Sequence, residues 1–475
     1  MLNLILCKMM KNVKYILPIL LAVIFVFPAC DNELDLVPED DVSQNVIFTT
    51  SQGAQLAVLG LYSKCQDDDV LNGTPQSMGE WHADNVRFVG SFPTFLQVRD
   101  YTILANNTSI QEVWRDCFEV VMAANFVIDG VPALEEAGFE EADKNSLIAE
   151  ARFMRALIYF NMANWFSAPI QQDNGSNDCL PIVDFIFTGS TTEFEIPRSS
   201  LSEVHAFIAA DLDFAIANLS GTDRTMATRG AAQALKARLH LYRGEWSDAA
   251  TLANTVIGDS NFELAGDYSF FQNEGSKEHI FTLVNTAADG QNSGEGFSGL
   301  FNPSPEGRGD APFSDYLINA FDTDNDLRFT TLTEQGPDAQ NTNSFFTTKY
   351  VDGITNADNA PVIRITEMYL TRAEANFRAG SSTGAAPLDD INLLRSRAGL
   401  ADLSALSLDD ILDERRKELC FEGHRRMDLL RNELGLRPSG DPNFADAAFG
   451  ANKTIWPIPT RERDLNPLFT QNPGY

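Results

Sequence analysis

Apolar side chains in the N-terminal half of the chain recur at helical spacing. Trp114, Cys117, Phe118, Val121, Met122 and Ile128 form one such set, and Leu147, Ala151, Met154, Leu157, Ile158 and Trp165 form another. Each set lies on one stripe of an amphipathic helix. Thr49-x-x-Gln52, Ser200-x-x-Glu203 and Ser407-x-x-Asp410 mark helix starts, where a reciprocal cap satisfies two orphan N–H groups. Residues 231–257 and 365–400 share a further pattern. A helix carrying Ala237 or Ala373 ends at Gly244 or Gly380, and a partner helix follows, opened by residues 245–249 or running from Leu388 through Leu394. A small residue permits close helix approach and glycine supplies the left-handed stop, the logic of tetratricopeptide pairs. The pattern predicts a mostly α fold: a tetratricopeptide-like helix-pair scaffold with long irregular loop inserts and a few short strands.

The inserts are the stretches that lose helical period. Residues 67–101 are rich in Gly, Pro, Asn and aromatics, and residues 289–313 and 336–360 are similar. Loops of that length in a compact protein are usually functional or disordered. Short β-prone pieces at 280–284, 347–351 and 362–365 predict minor strands.

The N-terminus reads as an address. Lys8, Lys11 and Lys14 precede an uncharged run from Tyr15 to Phe27, followed by Pro28-Ala29-Cys30. That is a signal peptide in form, with a core shorter than the roughly 20 residues of a bilayer span. Met9 or Met10 is an alternative start. A cysteine straight after the cut predicts diacylation at Cys30, with an acidic tether behind it. Expected organisation is therefore 1–29 signal, 30–45 anchor and tether, 46–270 an N-terminal helical region, and 271–475 a C-terminal region with the irregular inserts, the last two as one compact unit. Cys65, Cys117, Cys179 and Cys420 are left as one or two disulfides or as buried free thiols.

Charge narrows the function. Thirty-five basic against 67 acidic residues leave −32, which disfavours nucleic acid and other polyanions as partners. The five histidines offer no i, i+4 pair, and no C-x-x-C, Walker loop or G-x-S-x-G elbow occurs. Residues 322–326 (DTDND) open like a calcium loop, but Leu327 and Thr333 occupy the places of its glycine and bidentate glutamate. They are expected to form a solvated turn. No catalytic residue, metal or cofactor is expected.

Several segments in order resemble the SusD/RagB family of outer-membrane nutrient-binding lipoproteins. They are residues 149–160 (AEARFMRALIYF), 278–281 (EHIF), 361–370 (PVIRITEMYL) with 373–375 (AEA), 392–399 (NLLRSRAG), 414–425 (ERRKELCFEGHR) and the ending 456–459 (WPIP) through 471–475 (QNPGY). The resemblance implies a surface lipoprotein that captures a nutrient, here expected to be an oligosaccharide, and passes it to a SusC-like TonB-dependent transporter in the outer membrane. Rival readings are a peptide-binding member, an α-helical glycosidase and a docking scaffold. The shared motifs read as structural; Arg415, Arg416, Glu418, Glu422, His424 and Arg425 are expected to form internal ion pairs. Ligand contacts are sought in the inserts, where a sugar needs aromatic planes beside paired donors and acceptors. Trp81, Asp84, Asn85, Arg87 and Phe88 supply that mixture, with Trp81 either a stacking platform or a pin that holds its loop. Phe297, Phe301 and Arg308 are the candidates on the second insert.

Overall fold

The computed structural model describes residues 47–187, 189, 191–288 and 294–475, and residues 48–475 form one compact unit. Cys30 and the signal and tether segments lie outside the described residues. Helices dominate: α1 (Ser51–Cys65), α2 (Thr74–His82), α3 (Pro93–Arg99), α4 (Thr108–Gly130), α5 (Glu141–Phe166), α6 (Leu201–Asn218), α7 (Arg229–Arg243), α8 (Trp246–Ile257), α9 (Ile365–Ala379), α10 (Pro387–Arg397), α11 (Leu408–Leu419) and α12 (Arg425–Leu430). Successive helices from α4 to α10 pack against one another, and α11 returns onto α9.

Local signals place most of these ends. The Ser200 and Ser407 caps close reciprocal boxes with Glu203 and Asp410. At α1 the cap is Thr50, which accepts from Gly53, one residue later than the sequence suggests. Gly244 and Gly380 end α7 and α9 at φ 75° and 62°, the left-handed region that glycine enters freely. Ala237 and Ala373 are fully buried on those helices. Among the described residues, four short strands form two antiparallel pairs, the long-range pair β1 (His279–Leu283) with β4 (Ala360–Arg364) and the hairpin β2 (Thr333–Pro337) with β3 (Asn343–Thr347). The strand expected at 347–351 therefore ends where it was to begin. Residues 67–101, expected to be irregular, contain α2 and α3. Burial, nearly complete for α2 and confined to Phe95 and Val98 in α3, stabilises these short helices where their own propensity is modest.

The family-like charged motifs converge inside the C-terminal half. Arg364 contacts Glu278 at 3.2 Å and Glu422 at 2.8 Å, while Arg397 joins Glu278 and Glu418 at 3.2 and 2.9 Å. Arg415 holds Asp428 at 2.8 Å. Burial alone pushes the Glu418 and Glu422 carboxyls up; the surrounding Arg and Lys charges more than reverse this, leaving both at about 2. Cys65, Cys117, Cys179 and Cys420 are buried free thiols. In the 322–326 turn, Asp322 accepts from the Asp324 and Asn325 amides and Asp326 pairs with Arg328 at 2.7 Å.

Candidate functional site

The site candidates separate by burial. Trp81 sits near the end of α2, wholly buried, its ring 4.6 Å from Phe88 and 5.3 Å from Phe95 between centroids. No ring face is open to a sugar, so Trp81 is a core residue. Phe88 belongs to the same cluster. Asp84 is enclosed by Arg425 at 2.7 Å and Arg416 at 3.1 Å, and Asn85 bridges Glu80 and Arg416. Phe297 stacks on Tyr350 at 4.6 Å and Phe301 packs edge-on against Phe421, both buried. These six therefore tie the inserts to the scaffold.

Arg87 and Arg308 alone among the candidates reach solvent, and the backbone explains why they are neighbours. The stretch after α2 runs antiparallel to residues 310–313: the Arg87 amide donates to the Pro312 carbonyl and the Val89 amide to Asp310. Alternate side chains of that ribbon point outward. At Gly90 a Cβ would lie 2.5 Å from the Asp310 carboxyl carbon, so only glycine permits this approach. Beyond it Phe92 opens α3 and keeps 39% of its surface exposed. Phe92 stacks on Phe95 at 5.2 Å, and the Arg308 guanidinium lies over its ring at 4.7 Å. Arg308 donates to Asp310 at 2.8 Å and approaches Glu295 at 3.8 Å. Arg87 donates to the buried Asp338 at 2.9 Å and to Ser344 at 3.0 Å. The Ala339 amide donates to the Gly309 carbonyl, which fixes this hairpin beside the ribbon.

Carboxylates crowd the flank of this face. The 67–69 turn adjoins Glu295 through Gly73, and Asp67, Asp69 and Asp116 bring carboxyl oxygens within 4.8 Å of one another. Burial first, then the neighbouring acids, push Asp69 up to about 8; burial raises Asp67 to about 6. Phe92, Glu295, Asp310 and Asp338 are parts of the face that the sequence did not single out. The tight Gly90 before Phe92-Pro93 is their one local signal. A separate cavity of about 660 Å³ opens beside α4, walled by Trp114, Phe118, Met122, Phe187 and Phe469. Its walls are mostly apolar, with Lys64, Arg115, Glu119, Arg461, Glu462 and Asn466 among the lining.

Comparison with known proteins accounts for the architecture. A family profile described as "SusD family" matches residues 287–475, and one described as "Starch-binding associating with outer membrane" matches residues 38–241. The chain belongs to the SusD family. A SusD-like protein of Bacteroides ovatus is 25% identical over 85% of this chain and 80% of its own. The starch-binding protein SusD of Bacteroides thetaiotaomicron is 37% identical over 124 residues, 24% of this chain and 21% of that one. Among solved structures, a SusD superfamily protein from Bacteroides vulgatus superposes with a TM-score of 0.81 at 24% identity, covering 90% of this chain and 99% of its own. A laminarin binding SusD-like protein gives 0.75 at 23% identity, over 90% and 100%. The SusD fold is thus shared along nearly the whole described chain. Among the described residues, no helix is long and apolar enough to cross a membrane.

Proposed function

We propose that this protein binds an oligosaccharide on the Arg87–Phe92–Arg308 face and passes it to a SusC-like TonB-dependent transporter, held at the outer-membrane surface by acyl chains on Cys30. The observation carrying the carbohydrate reading is one exposed aromatic set among paired guanidinium and carboxyl groups, in a chain whose relatives include a starch-binding and a laminarin-binding protein. Sugar hydroxyls both donate and accept. Carboxyl oxygens of Glu295 and Asp310 accept from them, and the outward N–H groups of Arg87 and Arg308 donate. With Phe95 and the Arg308 guanidinium over its ring, Phe92 offers the sugar's apolar C–H groups its exposed edge. The role is binding without turnover.

Isothermal titration against laminari- and malto-oligosaccharides tests the site. Arg87→Ala and Arg308→Ala are each expected to weaken binding by about tenfold, the loss of roughly 1.4 kcal/mol from a charge-assisted hydrogen bond. Unchanged affinity in both variants removes this face from the binding site. Release of reducing ends from a bound glycan overturns the non-catalytic part, and a membrane-extracted protein without acyl mass on Cys30 overturns the anchor.

A further inference from the structure

Every guanidinium on the proposed face already holds a carboxylate. Arg87 is matched by Asp338, whose side chain is fully buried, and Arg308 by Asp310, whose side chain is 6% exposed. Arg99, donating to the Phe88 carbonyl at the base of the ribbon, is matched by Asp100 at 2.6 Å. An incoming anion must therefore compete with a carboxylate fixed in the protein. Displacing that partner strands a buried charge, which costs more than the new pair returns. The surroundings add repulsion. Glu295 feels Asp68 and Glu112. On that side Arg115 is engaged by Asp116 at 2.7 Å and Lys64 by Glu119 at 3.2 Å. Hydroxyl groups meet no such penalty, since they add hydrogen bonds to ion pairs that stay intact.

We infer that this face selects uncharged oligosaccharides and rejects those bearing uronate or sulfate groups, an inference that rests on the carbohydrate reading above. The pairing of each arginine, more than the net charge of the chain, sets the preference. Carboxylates on the Glu295 flank act as the specificity-determining groups.

The test uses the full-length mature protein on a panel of immobilised neutral, uronate-bearing and sulfated oligosaccharides of matched length, at low and at high salt. Neutral glycans are expected to bind with affinity nearly independent of salt. Charged ones should bind at least about tenfold more weakly at low salt, with the gap closing as salt screens the carboxylates. Glu112→Gln, on the flank and outside the sugar contacts, should narrow the low-salt gap while leaving neutral binding within about twofold. Tighter binding of a uronate or sulfated glycan, weakening with salt, overturns the inference and leaves the carbohydrate reading standing. Failure of every glycan class to bind overturns that reading and the inference with it.

Discussion

With Phe88 and Phe95 against its ring, Trp81 contributes burial to the corner between α2 and α3. Truncating such a side chain removes its transfer free energy and leaves a cavity. Trp81→Ala is therefore expected to cost about 3–5 kcal/mol of stability. Its indole Nε1 has no hydrogen-bond partner among the described residues. Trp81→Phe, which removes that orphan donor, should cost clearly less than Ala. Denaturant titration of both variants checks the pair of values; equal losses would show that the indole plane carries no packing of its own. Glycan affinity is expected to fall only as far as the ribbon after α2 loosens. The sequence singles out Trp81, Asp84, Asn85, Arg87 and Phe88 as one stretch but does not divide them, and the structure leaves only Arg87 at the surface. Alternation along a ribbon sends neighbours to opposite faces, and the register depends on the partner at 310–313, over two hundred residues away. Phe92 was obscure for the same reason, because its exposure is set by Arg308 from the other insert.

Helix pairs were the most legible feature, since the Gly244 and Gly380 stops and the serine caps act within a few residues. The helices inside the first insert were not, because α2 and α3 are short and owe their stability to long-range burial. Long-range ties also join the pairs. Arg372 on α9 donates to Asp390 on α10 at 2.6 and 2.9 Å and to Asn254 on α8 at 2.7 Å, so one side chain fastens three helices. Removing it leaves Asp390 buried without its cation. Arg372→Ala is expected to cost about 3–5 kcal/mol, the usual penalty of breaking a buried pair. Arg372→Lys should recover only part of this, as an ammonium cannot span the fork of bonds. Denaturant titration decides it, and a Lys variant as stable as the parent would mean that charge alone joins the helices.

Two populations of buried carboxyls pull the stability of the whole molecule in opposite directions with pH. Glu374, Glu418 and Glu422 sit at about 2, because burial, which raises them, is outweighed by Arg431 at Glu374, Arg397, Arg328 and Arg364 at Glu418, and Arg364 and Lys349 at Glu422. Unfolded glutamate ionises near 4.3. The stability these groups contribute is present above that value and is lost as pH falls towards 2. Glu80 and Glu150 behave in reverse. Burial pushes each to about 7, against hydrogen bonds from Asn85 and from Tyr62 that lower them. The unfolded chain ionises first, so their contribution is present below about pH 4 and disappears as pH rises towards 7. Asp69, raised to about 8, extends that loss to still higher pH. Self-repulsion of a chain carrying −32 at pH 7 acts in the same sense. Stability is therefore expected to peak near pH 5 and to decline on both sides. Urea midpoints at about pH 3, 5 and 8 check this. Glu80→Gln should flatten the alkaline limb, because Gln has no proton to lose while it can still accept from Gly423. A midpoint that climbs steadily from pH 5 to 8 would instead mean that the arginine-held carboxyls alone govern the fold.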